Sequence, residues 1–307
     1  MAFRCSVASV SRDEPLLGTA STVKSFLLVE DPGPWGVEAL RDARMAGHVK
    51  RGLRRLAARN KVRVLLIRRH RGAVRGGPRR VFAAYADPDH PWLETTTVAD
   101  EDALLGIDFD ALGRGASTGL DPVSGSVLCV CTHGRHDVCC AELGRPLASA
   151  LHASHPEETW EVSHIGGDRF AGNVLVLPEG LYYGRVPVDR ATALARTHLD
   201  GRLDLDLLRG RSGLPLPAQV AEVELRRGLG ETRNDAVRVT AVTRTGEDTS
   251  VRLEASGSPY TVRVRTGRTA DEHQLTCRAL RTNPFPTYDV VAVEPDLPIL
   301  GGSASKV

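Results

Sequence analysis

The 307-residue chain contains no uncharged apolar run approaching the roughly 18 residues a membrane span needs. Its opening, Met1-Ala-Phe-Arg-Cys5, has no hydrophobic signal core, and the two absences together predict a cytoplasmic protein with no membrane partner. Cysteine is sparse, six in all, too few for a disulfide scaffold. No Cys-x-x-Cys pair occurs. The nearest substitutes, Cys129-x-Cys131 and the adjacent Cys139-Cys140, are poor geometry for a low-strain redox disulfide, which counts against a thiol-based oxidoreductase. No segment singles out the carboxylate pair that glycoside hydrolysis requires, so nothing in the chain supports a glycosidase. Aromatic residues are few and are not interleaved with basic ones, and a net charge of +2 gives no global reason for a nucleic-acid partner.

What the chain does have is concentration. Four of the six cysteines fall in Cys129-Val-Cys131-Thr-His133-Gly-Arg-His136-Asp-Val-Cys139-Cys140, and about two dozen residues later comes Ser163-His164-Ile-Gly-Gly-Asp168-Arg-Phe170. Such bunching points to metal or redox chemistry. A mixed set of thiols and imidazoles suits an iron–sulfur cluster, and it suits Zn²⁺ equally well, leaving a zinc-stabilised binding module as the alternative. Charge is concentrated too: between Arg44 and Arg80 lie fourteen Lys and Arg residues and no carboxylate. That block reads either as a solvated helix face with a following loop or as a docking face for an acidic redox partner.

The pattern of apolar residues predicts an α/β chain in three parts. In the first, 1–120, Ser25–Val29 and Val62–Ile67 read as strands flanking a helix with apolar positions Val37, Leu40, Val49, Leu53 and Leu56, with Gly47 as a break. This is a βαβ unit and implies a parallel pair. Val81–Tyr85 adds a strand, Asp87–Trp92 a loop, and the acidic stretch 100–110 helical turns. In the second part, 121–212, a strand at Ser126–Val130 leads through the cysteine loop into a helix over Cys140–Ala153. Val174–Leu177 and Leu181–Tyr183 form a hairpin, and Asp189–Leu199 a helix ended at Gly201. The third, 213–307, is α+β: a helix over Ala218–Leu229, then alternating strands at Val237–Thr243, Ser250–Leu253, Tyr260–Val264 and Asp289–Val293. The tail Gly301–Val307 reads as disordered, and no repeat is obvious by eye.

Val127–Gly144 followed by Trp160–Arg185 resembles the sucrase/ferredoxin-like family, whose members are similar to thioredoxin-like [2Fe-2S] ferredoxins. The phrase Asn173-Val-Leu-Val-Leu-Pro178-Glu-Gly180-Leu-Tyr-Tyr183-Gly184-Arg185 is especially close. The resemblance implies a thioredoxin-like ferredoxin domain, an electron-transfer role and redox partner proteins, a reductase and an unknown acceptor. It implies a first ligand pair at Cys131 and Cys140 and a second, spaced by three residues, at His164 and Asp168. Asp168 departs from the His-x-x-x-His that relatives carry. The fourth ligand therefore stays open between Asp168, Cys139 and His133, and loss of the cluster is a further outcome. Arg135, His136 and Arg169 are candidates to hydrogen-bond the cluster or balance its charge. Cys5 and Cys277, distant in sequence, read as buried small hydrophobes.

Overall fold

The structure is a computed structural model that describes residues 2–70 and 77–296. Part of the basic block, residues 71–76, and the tail Gly301–Val307 lie outside the described residues. After the short helix α1 (Cys5–Ser11) comes β1 (Ser25–Glu30), whose run Ser-Phe-Leu-Leu-Val is apolar on both sides because both faces are covered. Leu27 and Val29 pack under the helices, while Phe26 and Leu28 point to the opposite core.

The helix expected after Gly36, with a break at Gly47, is present as α2 (Ala39–Asp42) and α3 (Gly47–Asn60). Between them the chain is extended at Ala43 and Ala46, so that Ala43 and Met45 turn into the core. α3 buries Val49 and Leu53 and ends at Lys61 in the left-handed region. β2 (Val62–Arg68) runs parallel to β1, as the βαβ reading requires. β3 (Arg79–Tyr85), β4 (Trp92–Val98) and the two-residue β5 (Asp121–Pro122) then add antiparallel strands, with α4 (Phe109–Arg114) lying against α3.

The next segment repeats that plan. β6 (Val127–Cys131), α5 (Val138–Ser154) and β7 (Thr159–Val162) form a second parallel βαβ unit, followed by antiparallel β8 (Val174–Leu177) and β9 (Leu181–Tyr183), then α6 (Ala191–Leu199) and β10 (Leu208–Arg211). All ten strands belong to one mixed sheet, ordered β10-β9-β8-β6-β7-β2-β1-β3-β4-β5. Read outward from its centre, each half has the same order. The halves join where β2 and β7 pair antiparallel at Ile67–Val162 and Arg68–Glu161. The glycine-rich stretch near residue 120 thus falls between two halves of one sheet.

Helices cover one side of each half. The opposite sides meet in a common core that takes Phe26, Leu28, Phe82 and Ala84 from the first half and Cys129, Trp160, Leu175 and Tyr182 from the second. Phe82 and Trp160 touch edge to face across it, ring centres 5.6 Å apart. Beyond Gly213, α7 (Leu216–Leu229) packs through Ala218, Ala221 and Leu225 on a separate antiparallel sheet. That sheet has the order β11 (Val237–Thr245), β12 (Asp248–Ala255), β13 (Ser258–Arg268), β14 (Pro286–Pro295). No helix among the described residues is long and apolar enough to cross a membrane.

Candidate metal centre

Cys131 is the last residue of β6, and its N–H donates to Asn173 O at 3.0 Å. α5 begins at Val138, earlier than the helix expected from Cys140, because Asp137 caps it: the Asp137 carboxylate accepts the Cys139 N–H at 2.9 Å. Cys139 and Cys140 therefore both sit in the first turn. Consecutive helical residues diverge by about 100° around the axis, so the two thiols face different neighbours. Cys140 turns towards Cys131 and Asp168; Cys139 turns away, towards Cys5 and Cys277.

The second ligand segment is held by residues of both halves. Ser163 N–H donates to Leu66 O at 2.8 Å, and Leu66 N–H returns to Ser163 Oγ at 3.0 Å. Arg63 Nη2 donates to His164 O at 3.0 Å. His164 N–H donates to His133 Nδ1 at 3.2 Å, while the other nitrogen of that ring, Nε2, donates to Gly36 O at 2.6 Å. Both ring nitrogens of His133 are thus engaged. It positions His164 and has no lone pair left for a metal. Gly166 and Gly167 have φ of +98° and +78°, a reversal that other residues resist. Arg209, fully buried, supports this turn by donating from Nη1 to Gly166 O at 3.0 Å and to Asn173 Oδ1 at 2.9 Å. Burial lowers its pKa to about 10.

These constraints bring Cys131, Cys140 and His164 together with ligand atoms within 4.8 Å of one another. A second, overlapping group consists of His136, His164 and Asp168. Cys140 Sγ lies 3.1 Å from Asp168 Oδ1, and the rings of His136 and His164 stack with centres 3.8 Å apart. His164 Nδ1 is 2.9 Å from Asp168 Oδ1. Two thiols, an imidazole and a carboxylate together are the donor set of a transition-metal site.

Electrostatics agree with this. The Cys140 hydrogen bond, then His164, pull Cys131 well below the usual thiol range in spite of burial. Cys140 is pushed up by its contact with Cys131, by burial and by the charge of Asp168. Burial alone would lower His164, but Asp168 and Cys131 raise it to about 9. Burial would raise Asp168; contact with His164 outweighs it and lowers the carboxyl. A metal bound by these residues would displace protons from Cys140 and His164.

Other expected contributors are spent elsewhere. Arg169 pairs with Glu14, and Arg135 is exposed, its carbonyl accepting from Arg278. Phe170 and Tyr183 are core residues, the former under the guanidinium of Arg169. Of the basic block, Arg63, Arg68 and Arg69 tie the halves together: Arg68 pairs with Glu161, and Arg69 donates to Pro156 and Glu157 carbonyls. Arg51, Arg54 and Arg55 remain exposed on α3. Nothing local in the sequence marked Arg63 or Arg209. Only Asp137 had a legible signal, an Asp just before a helix start.

A family model described as sucrase/ferredoxin-like matches residues 16–210. Altered inheritance of mitochondria protein 32 of Debaryomyces hansenii is 26% identical over 144 residues, which cover 43% of this chain and 49% of that protein. The protein of the same name from Meyerozyma guilliermondii is 31% identical over 100 residues, covering 29% of this chain and 35% of that one. The chain spans half or less of the length of the curated relatives it matches. Among solved structures, a variant of the thioredoxin-like [2Fe-2S] ferredoxin from Aquifex aeolicus aligns over 97% of its own chain and 27% of this one, with 19% identity and a TM-score of 0.24.

Proposed function

Since this chain belongs to the sucrase/ferredoxin-like family, we propose that it is an electron-transfer protein whose second half, a thioredoxin-like domain, carries one [2Fe-2S] cluster on Cys131, Cys140, His164 and Asp168. The observation that carries the reading is the convergence of two thiols from β6 and α5 with the imidazole of His164. When bound, the cluster supplies a one-electron couple. The protein's part is to fix the donors and to control water. Cys131, Cys140 and Asp168 are buried, whereas the side chains of His164 and His136 keep 24% and 35% of their exposure, so the histidine edge is where a bound cluster would lie nearest to a partner. His164 is also the residue through which solvent protons reach the site. The reductase and the acceptor dock over this edge, where exposed Arg135 attracts an acidic surface.

An anaerobic ultraviolet–visible spectrum, with iron and acid-labile sulfide analysis before and after dithionite, tests the reading. The expected result is two irons and two sulfides per chain with visible bands that bleach on reduction. Cys131→Ser and Cys140→Ser lose them. A colourless protein that stays free of iron after anaerobic reconstitution overturns the proposal.

A further inference from the structure

The two cysteines most distant from the cluster segment come together in space with Cys139, one of the two that segment leaves over. Cys5 Sγ is 3.8 Å from Cys139 Sγ, Cys139 Sγ is 3.4 Å from Cys277 Sγ, and Cys277 Sγ is 3.5 Å from Cys5 Sγ. Asp137 completes the group: each of its carboxylate oxygens lies 3.7 Å from Cys5 Sγ, and all four ligand atoms are within 4.8 Å of one another. We propose that Cys5, Cys139, Cys277 and Asp137 form a second metal site, separate from the cluster site, that takes a structural zinc ion.

The spacing is that of tetrahedral ligands. Zn–S bonds of about 2.3 Å place sulfurs about 3.8 Å apart along a tetrahedron's edge, close to the three distances here. A disulfide needs sulfurs about 2.05 Å apart and leaves the third thiol alone, so it accounts for the trio less well. Soft thiolates with one carboxylate oxygen exclude magnesium and calcium and favour zinc. The surroundings are also those of ligands. Cys5 N–H donates to Cys277 Sγ at 3.3 Å, and Asp137 is oriented by two backbone donors, Cys139 N–H at 2.9 Å and Cys277 N–H at 2.7 Å. Each carboxylate oxygen keeps a lone pair for the metal. Cys5, Cys139 and Asp137 are buried, and Cys277 is half-buried on the side from which an ion enters. On binding, the three thiol protons leave to solvent and the ion keeps its charge, so no oxidant or reductant takes part.

The site also anchors a stretch that is otherwise lightly held. Residues 269–285, between β13 and β14, form no helix or strand, and of their side chains only Phe285 is buried. A long irregular connection in a compact fold calls for an anchor. This one meets the cluster-bearing half at Cys277 and at Arg278, which donates to Arg135 O at 2.8 Å. Cys5 and Cys277 lie outside the 16–210 stretch that defines the family, and Cys139 lies inside it. Zinc thus fastens the start of the chain and the C-terminal sheet onto the helix that bears Cys140.

Metal analysis of the full-length protein, produced with iron and zinc supplied and purified anaerobically, tests this. One zinc per chain is expected in the wild type. In Cys277→Ser and Cys5→Ser zinc falls at least about tenfold while iron is unchanged, and in Cys140→Ser iron is lost and zinc is kept. Should Cys5→Ser fail to fold, the half-buried Cys277→Ser and the wild type decide: Co²⁺ added to zinc-free wild type gives the thiolate charge-transfer and visible bands of a tetrahedral site. Wild type that binds neither zinc nor cobalt overturns the proposal. So does zinc retained in Cys277→Ser, or an intact mass two hydrogens light from a Cys139–Cys277 disulfide. Because zinc and iron are counted separately, failure of this site and failure of the cluster reading give different results.

Discussion

The turn at Gly166-Gly167 offers a sharp test of how the second ligand segment is held, because the two glycines share a backbone problem and differ in their neighbours. Alanine at either position meets a positive φ, which costs about 1–2 kcal/mol. At Gly166 the added methyl meets nothing within 4 Å. At Gly167 it overlaps Arg209 Nη2 and lies 2.6 Å from Cζ and 2.8 Å from Nη1. That guanidinium cannot move aside freely, since it is buried and donates to Gly166 O, Asn173 Oδ1 and Thr19 Oγ1. Each acceptor stripped of its donor costs about 1–3 kcal/mol. Loss of one of them brings Gly167→Ala to about 2–5 kcal/mol in total and loss of two to about 3–8 kcal/mol, against about 1–2 kcal/mol for Gly166→Ala.

Urea unfolding of both variants measures the difference, and iron retention reads its effect on the site. Gly167→Ala is expected to shed iron, through displacement of Asp168 next to it, while Gly166→Ala keeps most of it. Equal losses of stability in the two variants would refute the argument that Arg209 supports the turn.

Asp168→His restores the His-x-x-x-His spacing and removes a negative charge from the site, so the reduction potential is expected to rise; a spectroscopic redox titration that finds it unchanged or lower removes Asp168 from the ligand set. Glu161 joins the halves by accepting from Arg68 Nε at 2.9 Å, Thr132 Oγ1 at 2.8 Å and His70 Nδ1 at 2.8 Å, and Glu161→Gln is expected to cost on the order of 3 kcal/mol in denaturant unfolding. Burial would raise the Glu161 carboxyl, but Arg68, His70 and Thr132 hold it below its usual value. Its contribution is therefore complete above the unfolded pKa near about 4.3 and fades as pH falls through the lower folded value, so wild type and Glu161→Gln should converge in stability at acid pH.

Much of the second half was legible from local pattern. A five-residue strand, a cysteine loop and a helix with Leu143, Leu147 and Leu151 on one face follow from periodicity and appear as β6, its loop and α5, where Leu147 and Leu151 are buried but Leu143 is exposed. β4 was not legible, since Trp-Leu-Glu-Thr-Thr-Thr-Val has only a weak alternation and a buried Glu94 held by Ser117 and Thr118. The doubled strand order was invisible for a different reason: the halves share a topology without sharing residues at their sites. At the metal centre the ligand candidates announce themselves by residue type, whereas Arg63 and Arg209 look like any other arginine in an arginine-rich chain. The meeting of Cys5, Cys139 and Cys277 depends on contacts across up to 272 residues, which no local pattern encodes.

The doubled plan makes the second half depend on the first. In the first half, the turn Asp31-Pro-Gly-Pro-Trp35-Gly36 follows β1 as the cysteine loop follows β6, and it carries no cysteine. It instead supplies contacts to the other half: Gly36 O to His133, and the Trp35 ring edge-on to the same imidazole at 5.8 Å. With Arg63 on His164 O and Leu66 on Ser163, the first half fixes the second ligand segment from outside. It also covers Trp160, Val162, Leu175 and Tyr182, which the isolated second half would expose. At about 25 cal/mol per Å² and 150–250 Å² for each aromatic ring, uncovering Trp160 and Tyr182 alone costs about 8–12 kcal/mol at full exposure, comparable with the whole stability of a domain. A fragment of residues 121–212 is therefore expected to fail to fold or to hold iron, and co-production with residues 1–120 to restore both, as read by circular dichroism and iron content. A 121–212 fragment that folds and binds iron as the full chain does would show that the first half is dispensable to the site.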